Sequence, residues 1–203
     1  MLVKTPWFLR ILFPSIIWRK KNKNNNIWLT FDDGPCPIAT PIILKALMKE
    51  NIKATFFLIG KKIHKNPELF LEIIKQGHVV ANHSYSHKNG WLVSSNSYLQ
   101  DVEKCQNFMP KNSLFRPPYG KISRKQLKEL KKKYKIILWD VFAWDFLKQI
   151  SSRKVKTYII NNTTSGSIIV LHNNKKSISK THKCLTDIIQ ELKDKKFTFS
   201  TTW

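Results

Sequence analysis

Two adjacent carboxylates and a pair of histidines are the residues of this sequence best suited to hold a metal ion. Asp32 and Asp33 end a short apolar run and precede Gly34-Pro35, and His83 and His87 are four residues apart. Histidines at this spacing lie on one side of a helical turn, near enough to bind one ion. Together with a carboxylate they supply three protein ligands and leave positions open. That arrangement is typical of catalytic zinc and also of the 2-His-1-carboxylate iron oxygenases.

Each of these groups also has an interpretation without catalysis. Two carboxylates at the exit of a buried strand are costly unless a cation, a proton or hydrogen bonds compensate them. Side chains alternate faces along a strand, so the chain must bend at Gly34-Pro35 if Asp32 and Asp33 are to serve one site. The dipeptide alone also fits an Asx-type turn that caps the next helix, and two solvent-exposed histidines are about as common as a metal-binding pair.

Three further motifs carry polar groups that could assist a reaction at such a site. Arg116, in the run Arg-Pro-Pro-Tyr-Gly, could keep a carboxylate ionised, and its prolines would fix the backbone so that nearby amides face a developing oxyanion. Asp145 is the natural candidate to orient His172 and raise its pKa. Taken alone, Arg116 also fits a surface arginine in a rigid loop, and His172 fits a buried structural histidine.

All of these residues follow short apolar runs that alternate with helical patterns, which predicts βα units around parallel strands. About seven such units without an internal repeat predict a barrel or an open α/β sheet in one domain, with catalytic groups at the carboxyl ends of the strands. The predicted strands are 27–31, 54–59, 78–81, 113–116, 136–141, 167–171 and 197–201. The predicted helices are 41–50, 67–76, 98–109, 123–133, 155–161 and 178–195.

Composition excludes several classes of protein. The chain has 203 residues, of which 42% are hydrophobic, enough for one domain with a substantial core, so a disordered chain is excluded. Three widely spaced cysteines form neither a disulfide framework nor a Cys-x-x-Cys metal clip, and no Gly-rich phosphate loop supports nucleotide chemistry. The net charge of +23 fits an anionic partner, or else compositional drift toward Lys, Asn and Ile, which we favour.

Residues 1–26 are predicted to be a basic and aromatic appendage to a domain formed by residues 27–203. Arg10 and Pro14 interrupt its apolar stretch, which is too short to span a bilayer, and no cleavable signal peptide is evident. It is either an amphipathic anchor at a membrane or cell-wall surface or a segment packed onto the domain, and we favour packing. We therefore expect a cytoplasmic protein or one peripherally associated with the inner membrane.

The ordered motifs resemble those of the polysaccharide deacetylases of the NodB-homology group, carbohydrate esterase family 4, over about residues 27–201. The matching motifs are Thr30–Gly34, His83–His87, Arg116–Gly120 and Val170–His172. The resemblance implies a single α/β domain with a distorted (β/α)7-type barrel. It also implies metal-dependent removal of acetyl groups from N-acetylated sugars of peptidoglycan or a chitin-like glycan, with Zn²⁺ or another divalent ion such as Co²⁺ as cofactor.

The same resemblance implies a role for each site residue. These roles are the base for Asp32, metal ligation for Asp33, His83 and His87, the acid for His172, orientation of that histidine for Asp145, support of the base for Arg116, and an oxyanion-binding amide for Tyr119. The fourth motif departs from the family form Asp-x-x-Asp-Trp, because Phe142 replaces its first Asp and Phe146 its Trp. That departure bears on substrate fit more than on the chemistry.

We expect a monomer that acts on a glycan and has no specific affinity for nucleic acid. Two other functions share some of these features. A nonheme iron oxygenase uses the same ligand types, and a binding protein on an inactive deacetylase fold could use the positive charge on an anionic polymer.

Overall fold

The computed structural model describes residues 1–22 and 24–203, and a curled sheet of parallel strands forms its centre. The strands are β1 (Ile16–Ile17), β2 (Asn26–Asp32), β3 (Thr55–Leu58), β4 (Val79–Asn82), β5 (Leu114–Phe115), β6 (Lys135–Ile137), β7 (Val141–Phe142), β8 (Ile168–His172) and β9 (Thr198–Phe199). Their order across the sheet is β1-β6-β5-β4-β3-β2-β8-β7, and β9 pairs with the start of β2.

Helices surround this sheet, and several of them begin at a residue whose side chain caps them. They are α1 (Trp7–Leu12), α2 (Ala39–Lys49), α3 (Gly60–Lys65), α4 (Pro67–Lys75), α5 (Ser95–Gln106), α6 (Arg124–Leu130), α7 (Ser152–Asn162) and α8 (Lys175–Asp194), with a 3₁₀ turn at Pro118–Gly120. The side chains of Ser94, Ser151 and Asn174 accept hydrogen bonds from backbone amides in the first turns of α5, α7 and α8. No helix of the described residues is long and apolar enough to cross a membrane.

The central strands are buried on both faces, as expected for parallel strands covered by helices. Strand β2 is buried from Ile27 to Asp32, and β8 from Ile168 to Leu171. The largest apolar cluster lies between these strands and helices α2, α7 and α8, and it includes the stacked rings of Phe31 and Phe56. This packing fixes the carboxyl ends of β2 and β8 beside each other.

The N-terminal segment covers both edges of the sheet. Residues 3–5 pair in antiparallel fashion with β7, and β1 pairs with β6. The amide of Lys20 then donates a hydrogen bond to the carbonyl of Gly166, at the start of β8. Unpaired edge strands are sites of aggregation, and this segment protects them. The proposed domain boundary at residue 26 stays a prediction.

The predicted strand 136–141 is wrong, because two strands occupy this range. Strand β6 ends at Ile137 and β7 begins at Val141, and the two lie at opposite ends of the strand order. The linking residues can cross that gap because the sheet curls until its ends approach. An apolar run interrupted only by Asp140 carries no clear signal of the break, and α1, β1 and α3 were also not predicted.

The carboxylate of Asp140, which lies between β6 and β7, attaches the N-terminal segment to the sheet. Asp140 is fully buried and accepts hydrogen bonds from Ser167 Oγ at 2.6 Å and Arg10 Nη2 at 3.0 Å.

Removal of one partner from a buried ion pair leaves the other charge uncompensated. We therefore predict that Asp140→Ala lowers the free energy of unfolding in urea by about 3 kcal/mol. The exposed Asp194→Ala serves as control and should change it by less than about 0.5 kcal/mol; equal effects would contradict this function of Asp140.

Candidate active site

The polar residues singled out above meet at one edge of the sheet. Asp32 ends β2 and pairs in register with His172, which ends β8. His83 follows β4, and Arg116 follows β5. Because all these strands are parallel, their carboxyl ends lie on the same side, as predicted.

Asp33, His83 and His87 form a cluster that could hold a metal ion. One carboxylate oxygen of Asp33 lies 3.2 Å from Nε2 of His87 and 3.7 Å from Nε2 of His83. One ligand atom from each of the three residues lies within 4.8 Å of the others. The backbone of Asp33 has φ of 75°, a left-handed conformation that Asp tolerates better than most residues. The chain therefore turns at Asp33 itself, ahead of Gly34-Pro35.

The protonation states of this cluster suit a divalent cation. Burial lowers the pKa of His83 to about 4, so the imidazole is neutral. Its Nδ1 lies 2.7 Å from the carbonyl oxygen of Arg116, and donation there leaves Nε2 free to bind a metal. Burial alone would raise the pKa of Asp33, but the hydrogen bond with His87 and the nearby His172 and His83 bring it well below its usual value. A neutral imidazole and an ionised carboxylate are donors that zinc accepts.

A loop, and not a helical turn, brings the two histidines together, which corrects the predicted backbone. Ser84 and His87 both have left-handed backbone conformations, with φ of 61° and 58°. The buried carboxylate of Asp101, on α5, braces this loop by accepting hydrogen bonds from the amides of Tyr85 and Ser86 and from the Ser86 hydroxyl. Asp101 was not predicted as a site residue, since its partners are set only by the folded loop.

Arg116 holds the other carboxylate of the pair. Its fully buried guanidinium donates from Nη1 to Asp32 at 2.6 Å and to Thr30 Oγ1 at 2.8 Å, and from Nε and Nη2 to the carbonyls of Ile137 and Leu138. The surface-arginine interpretation is therefore wrong. A guanidinium at this distance fixes the orientation of the Asp32 carboxylate and places a positive charge beside it.

His172 and Asp145 form a second hydrogen-bonded pair beside Asp32. Nδ1 of His172 lies 2.7 Å from one carboxylate oxygen of Asp145, and the other oxygen accepts from the His172 amide at 2.8 Å. Burial lowers the pKa of His172, but the charge and hydrogen bond of Asp145 outweigh it and raise the pKa to about 9. The imidazole is therefore protonated at neutral pH and can donate a proton.

Tyr119 contributes its backbone and its ring at the mouth of the site. It has φ of 59°, and among the described residues its amide has no hydrogen-bond acceptor. Its ring lies 4.5 Å from that of His87, so Tyr119 borders the metal cluster. Gly120 follows with φ of 66°, and a Cβ there would meet Trp139 at 2.8 Å. A turn of this kind can direct the Tyr119 amide toward an oxyanion, the role implied for it.

Comparison with known proteins identifies the family. The family model described as polysaccharide deacetylase matches residues 19–135, more than half of the chain. The chain belongs to this family. It is 35% identical over 180 residues to a peptidoglycan-N-acetylglucosamine deacetylase of Bacillus cereus, a match that covers 85% of this chain and 65% of that protein. The predicted family and class of enzyme are thus confirmed.

Solved structures give the same result for the fold. The structure of the Bc1960 peptidoglycan N-acetylglucosamine deacetylase superimposes with a TM-score of 0.89 at 31% identity, over 97% of this chain and 94% of that one. The predicted distorted barrel is confirmed. BA3943 of Bacillus anthracis, described as a CE4 family pseudoenzyme, matches with a TM-score of 0.83 at 25% identity, over 92% of this chain and 66% of that one. Proteins with this fold therefore include a pseudoenzyme, so the activity of a given chain has to be judged from its site residues.

The altered fourth motif forms an aromatic wall beside the acid of this polysaccharide deacetylase. The ring centroids of Phe146 and Phe142 lie 4.9 Å and 5.7 Å from that of His172, and both rings meet it edge-on. Phe142 also stacks on Trp139 at 4.7 Å. An apolar wall excludes water from one side of His172, and the aspartate that the family has at position 142 would not.

Asn174 is a second residue that was not predicted. Its Nδ2 donates to the free carboxylate oxygen of Asp33 at 2.7 Å, while its Oδ1 caps α8 by accepting from the amides of Lys176 and Ser177. One side chain thus connects the start of a 20-residue helix to Asp33 of the metal cluster. The cap could be predicted from Asn before a helical pattern, but the contact with Asp33 could not.

We predict that Asn174→Ser weakens zinc binding without loss of stability. Serine still caps a helix but is too short to reach Asp33, so the carboxylate loses the hydrogen bond that orients it. Competition with a chromogenic chelator should show a Kd about tenfold higher, with an unchanged melting temperature. Ser151→Ala, which removes the cap of α7 far from the site, is the matched control: it should lower the melting temperature and leave the Kd unchanged. An unaltered Kd in Asn174→Ser would show that Asn174 is only a cap.

The alkaline side of the pH profile should depend on Asp145. An acid must be protonated to act, so with a pKa of about 9 for His172 the rate should fall as pH rises through this value. Asp145→Asn removes the charge that raises this pKa, so the alkaline limb should move to lower pH and the maximal rate should fall. Acetate release measured from pH 6 to about 11 tests this. An unchanged profile with full activity would mean that Asp145 is only structural.

Proposed function

We propose that this chain is a monomeric, zinc-dependent hydrolase that removes the acetyl group from N-acetylglucosamine residues of peptidoglycan. One observation carries this proposal: the Asp33, His83 and His87 cluster shares one edge of the sheet with a carboxylate held by Arg116 and an imidazole held by Asp145. The choice of sugar is supported by the name of the B. cereus relative. The positive net charge suits an anionic cell-wall polymer, and chitooligosaccharides, which carry the same acetamide, are a second substrate class.

Different residues of the chain carry the separate steps of amide hydrolysis. Asp33, His83 and His87 would hold a divalent ion, which when bound would supply a Lewis acid for the acetyl carbonyl and for the attacking water. Asp32, held by Arg116, accepts the proton of that water. The Tyr119 amide donates to the oxyanion that develops on the acetyl oxygen. His172 gives its proton to the departing sugar nitrogen, and the products are acetate and a free amine.

The two other functions considered for this chain are less well supported. Membership of the polysaccharide deacetylase family argues against a nonheme iron oxygenase. A binding protein on an inactive fold has a precedent in the BA3943 pseudoenzyme. This chain, however, combines the two carboxylates, both loop histidines, Arg116 and the pair of Asp145 and His172 in one hydrogen-bonded site. The two positions that depart from the family motif, Phe142 and Phe146, line His172 and take no part in the proposed steps.

The deciding experiment measures acetate released by the zinc-loaded protein from peptidoglycan and from chitooligosaccharides. We expect release that stops with a chelator and returns with zinc. No release from any N-acetylated glycan, with zinc demonstrably bound, would contradict the proposal, and release only from muramic acid residues would correct the choice of sugar.

Variants of the two histidines and of Asp32 separate metal binding from proton transfer. His83→Ala or His87→Ala should lose zinc and activity together, because too few ligands remain. Asp32→Asn should retain zinc, since it leaves the cluster intact, while acetate release falls about 10²-fold or more. Metal content by atomic absorption checks both; loss of zinc from Asp32→Asn would reverse the assignment within the Asp pair.

A further inference from the structure

Helix α1 is amphipathic, but its apolar face points to solvent and its charged residue points to the protein, the reverse of an ordinary surface helix. At about 100° per residue, Trp7, Phe8, Ile11 and Leu12 occupy one face and Arg10 the opposite one. Arg10 is turned toward the protein, where its guanidinium reaches the buried Asp140. The apolar face is turned outward, and none of the six residues is buried.

The outward face is large and continuous. Trp7, Ile11 and Leu12 are 69%, 68% and 65% exposed, and Phe8 and Phe13 add 46% and 38%. Single exposed apolar residues are ordinary, but a contiguous patch of large ones marks an interaction site. We call these five residues the α1 face.

A basic cleft lies next to the α1 face. It has a volume of about 840 Å³, and Arg10, Arg19, Lys20 and Lys21 line it together with Trp18. Within the part of the chain that the structure describes, no ion pair joins Arg19, Lys20 or Lys21 to a carboxylate. Burial, and then repulsion from Lys135, lower the pKa of Lys20, so positive charge is crowded here. An anionic group would relieve that repulsion.

Both features lie on the side of the sheet away from the candidate active site. The cleft contacts Ser165, just before β8, and α1 is held by Asp140, just before β7. The catalytic groups follow the opposite, carboxyl ends of the strands. A surface that binds here would leave the active site open to a glycan.

We propose that the α1 face and the basic cleft dock this protein on the surface of a bilayer that contains anionic phospholipid. Apolar side chains of an interfacial helix enter the boundary between headgroups and acyl chains, while neighbouring Lys and Arg contact the phosphates. A second copy of the chain fits less well, because two molecules of net charge +23 would bring their basic clefts together. At six residues, α1 is far too short to span the bilayer and must lie on it.

Sedimentation with vesicles tests this proposal on the 203-residue chain. We expect binding to vesicles of phosphatidylcholine with phosphatidylglycerol, weakened by salt, and little binding to phosphatidylcholine alone. Trp7→Ser/Ile11→Ser should lower the partition coefficient about tenfold or more, because it removes two inserted side chains. Met48→Ser/Leu71→Ser removes side chains of similar exposure, 64% and 61%, from helices α2 and α4 and should have no effect. Acetate release from a soluble chitooligosaccharide should be unchanged in both, which shows that they are folded.

Three results would overturn the proposal. Wild-type protein that binds neither kind of vesicle has no membrane-docking surface. Equal binding by the two double variants would mean that charge alone attracts the protein and that α1 is not inserted. A dimer in sedimentation velocity that Trp7→Ser/Ile11→Ser converts to monomer, without vesicle binding, would assign the α1 face to a second copy of the chain.

Discussion

The buried guanidinium of Arg116 is the interaction on which the rest of the site depends. A fully desolvated cation is tolerated only when every donor is used and a negative charge lies beside it. Arg116 meets this condition with Asp32, with carbonyls next to β6, and with the ring of Phe57, 4.0 Å away. Its own carbonyl also fixes the His83 ring. One residue therefore links four strands of the curled sheet to both the base and the metal cluster.

This constraint separates two carboxylates that are adjacent in sequence. Asp32 is committed to Arg116, and the left-handed turn at Asp33 directs the next carboxylate to the histidines. Each carboxylate has its own cationic or metal-binding environment, so the two are not brought together at one point. His172 is brought to the same edge by the register of β8 with β2 and is kept protonated by Asp145. The proposed base, metal ligands and acid are thus different groups with different partners.

The sequence was sufficient to place the candidate site residues at the carboxyl ends of parallel strands, and insufficient to predict the backbone between them. Parallel strands place their carboxyl ends together, so Asp32, Arg116 and His172 could be assigned to one edge from the βα pattern and the motifs. The loop from His83 to His87 was predicted as a helical turn, because spacing alone does not reveal left-handed φ values. Asn174 contacts Asp33, which is more than a hundred positions away in the sequence. Asp140 lies in the break between β6 and β7, within an apolar run. No local pattern in the sequence signals either contact.

The division of labour within the Asp pair is the central claim, and the position of the bound metal tests it most directly. A crystal structure of the zinc-loaded protein, with anomalous data at the zinc edge, would locate the ion. We expect one peak about 2.0 to 2.2 Å from an oxygen of Asp33 and from Nε2 of both His83 and His87, with the bond between Arg116 and Asp32 intact. A zinc ion bound by Asp32, with Arg116 displaced from it, would contradict this account.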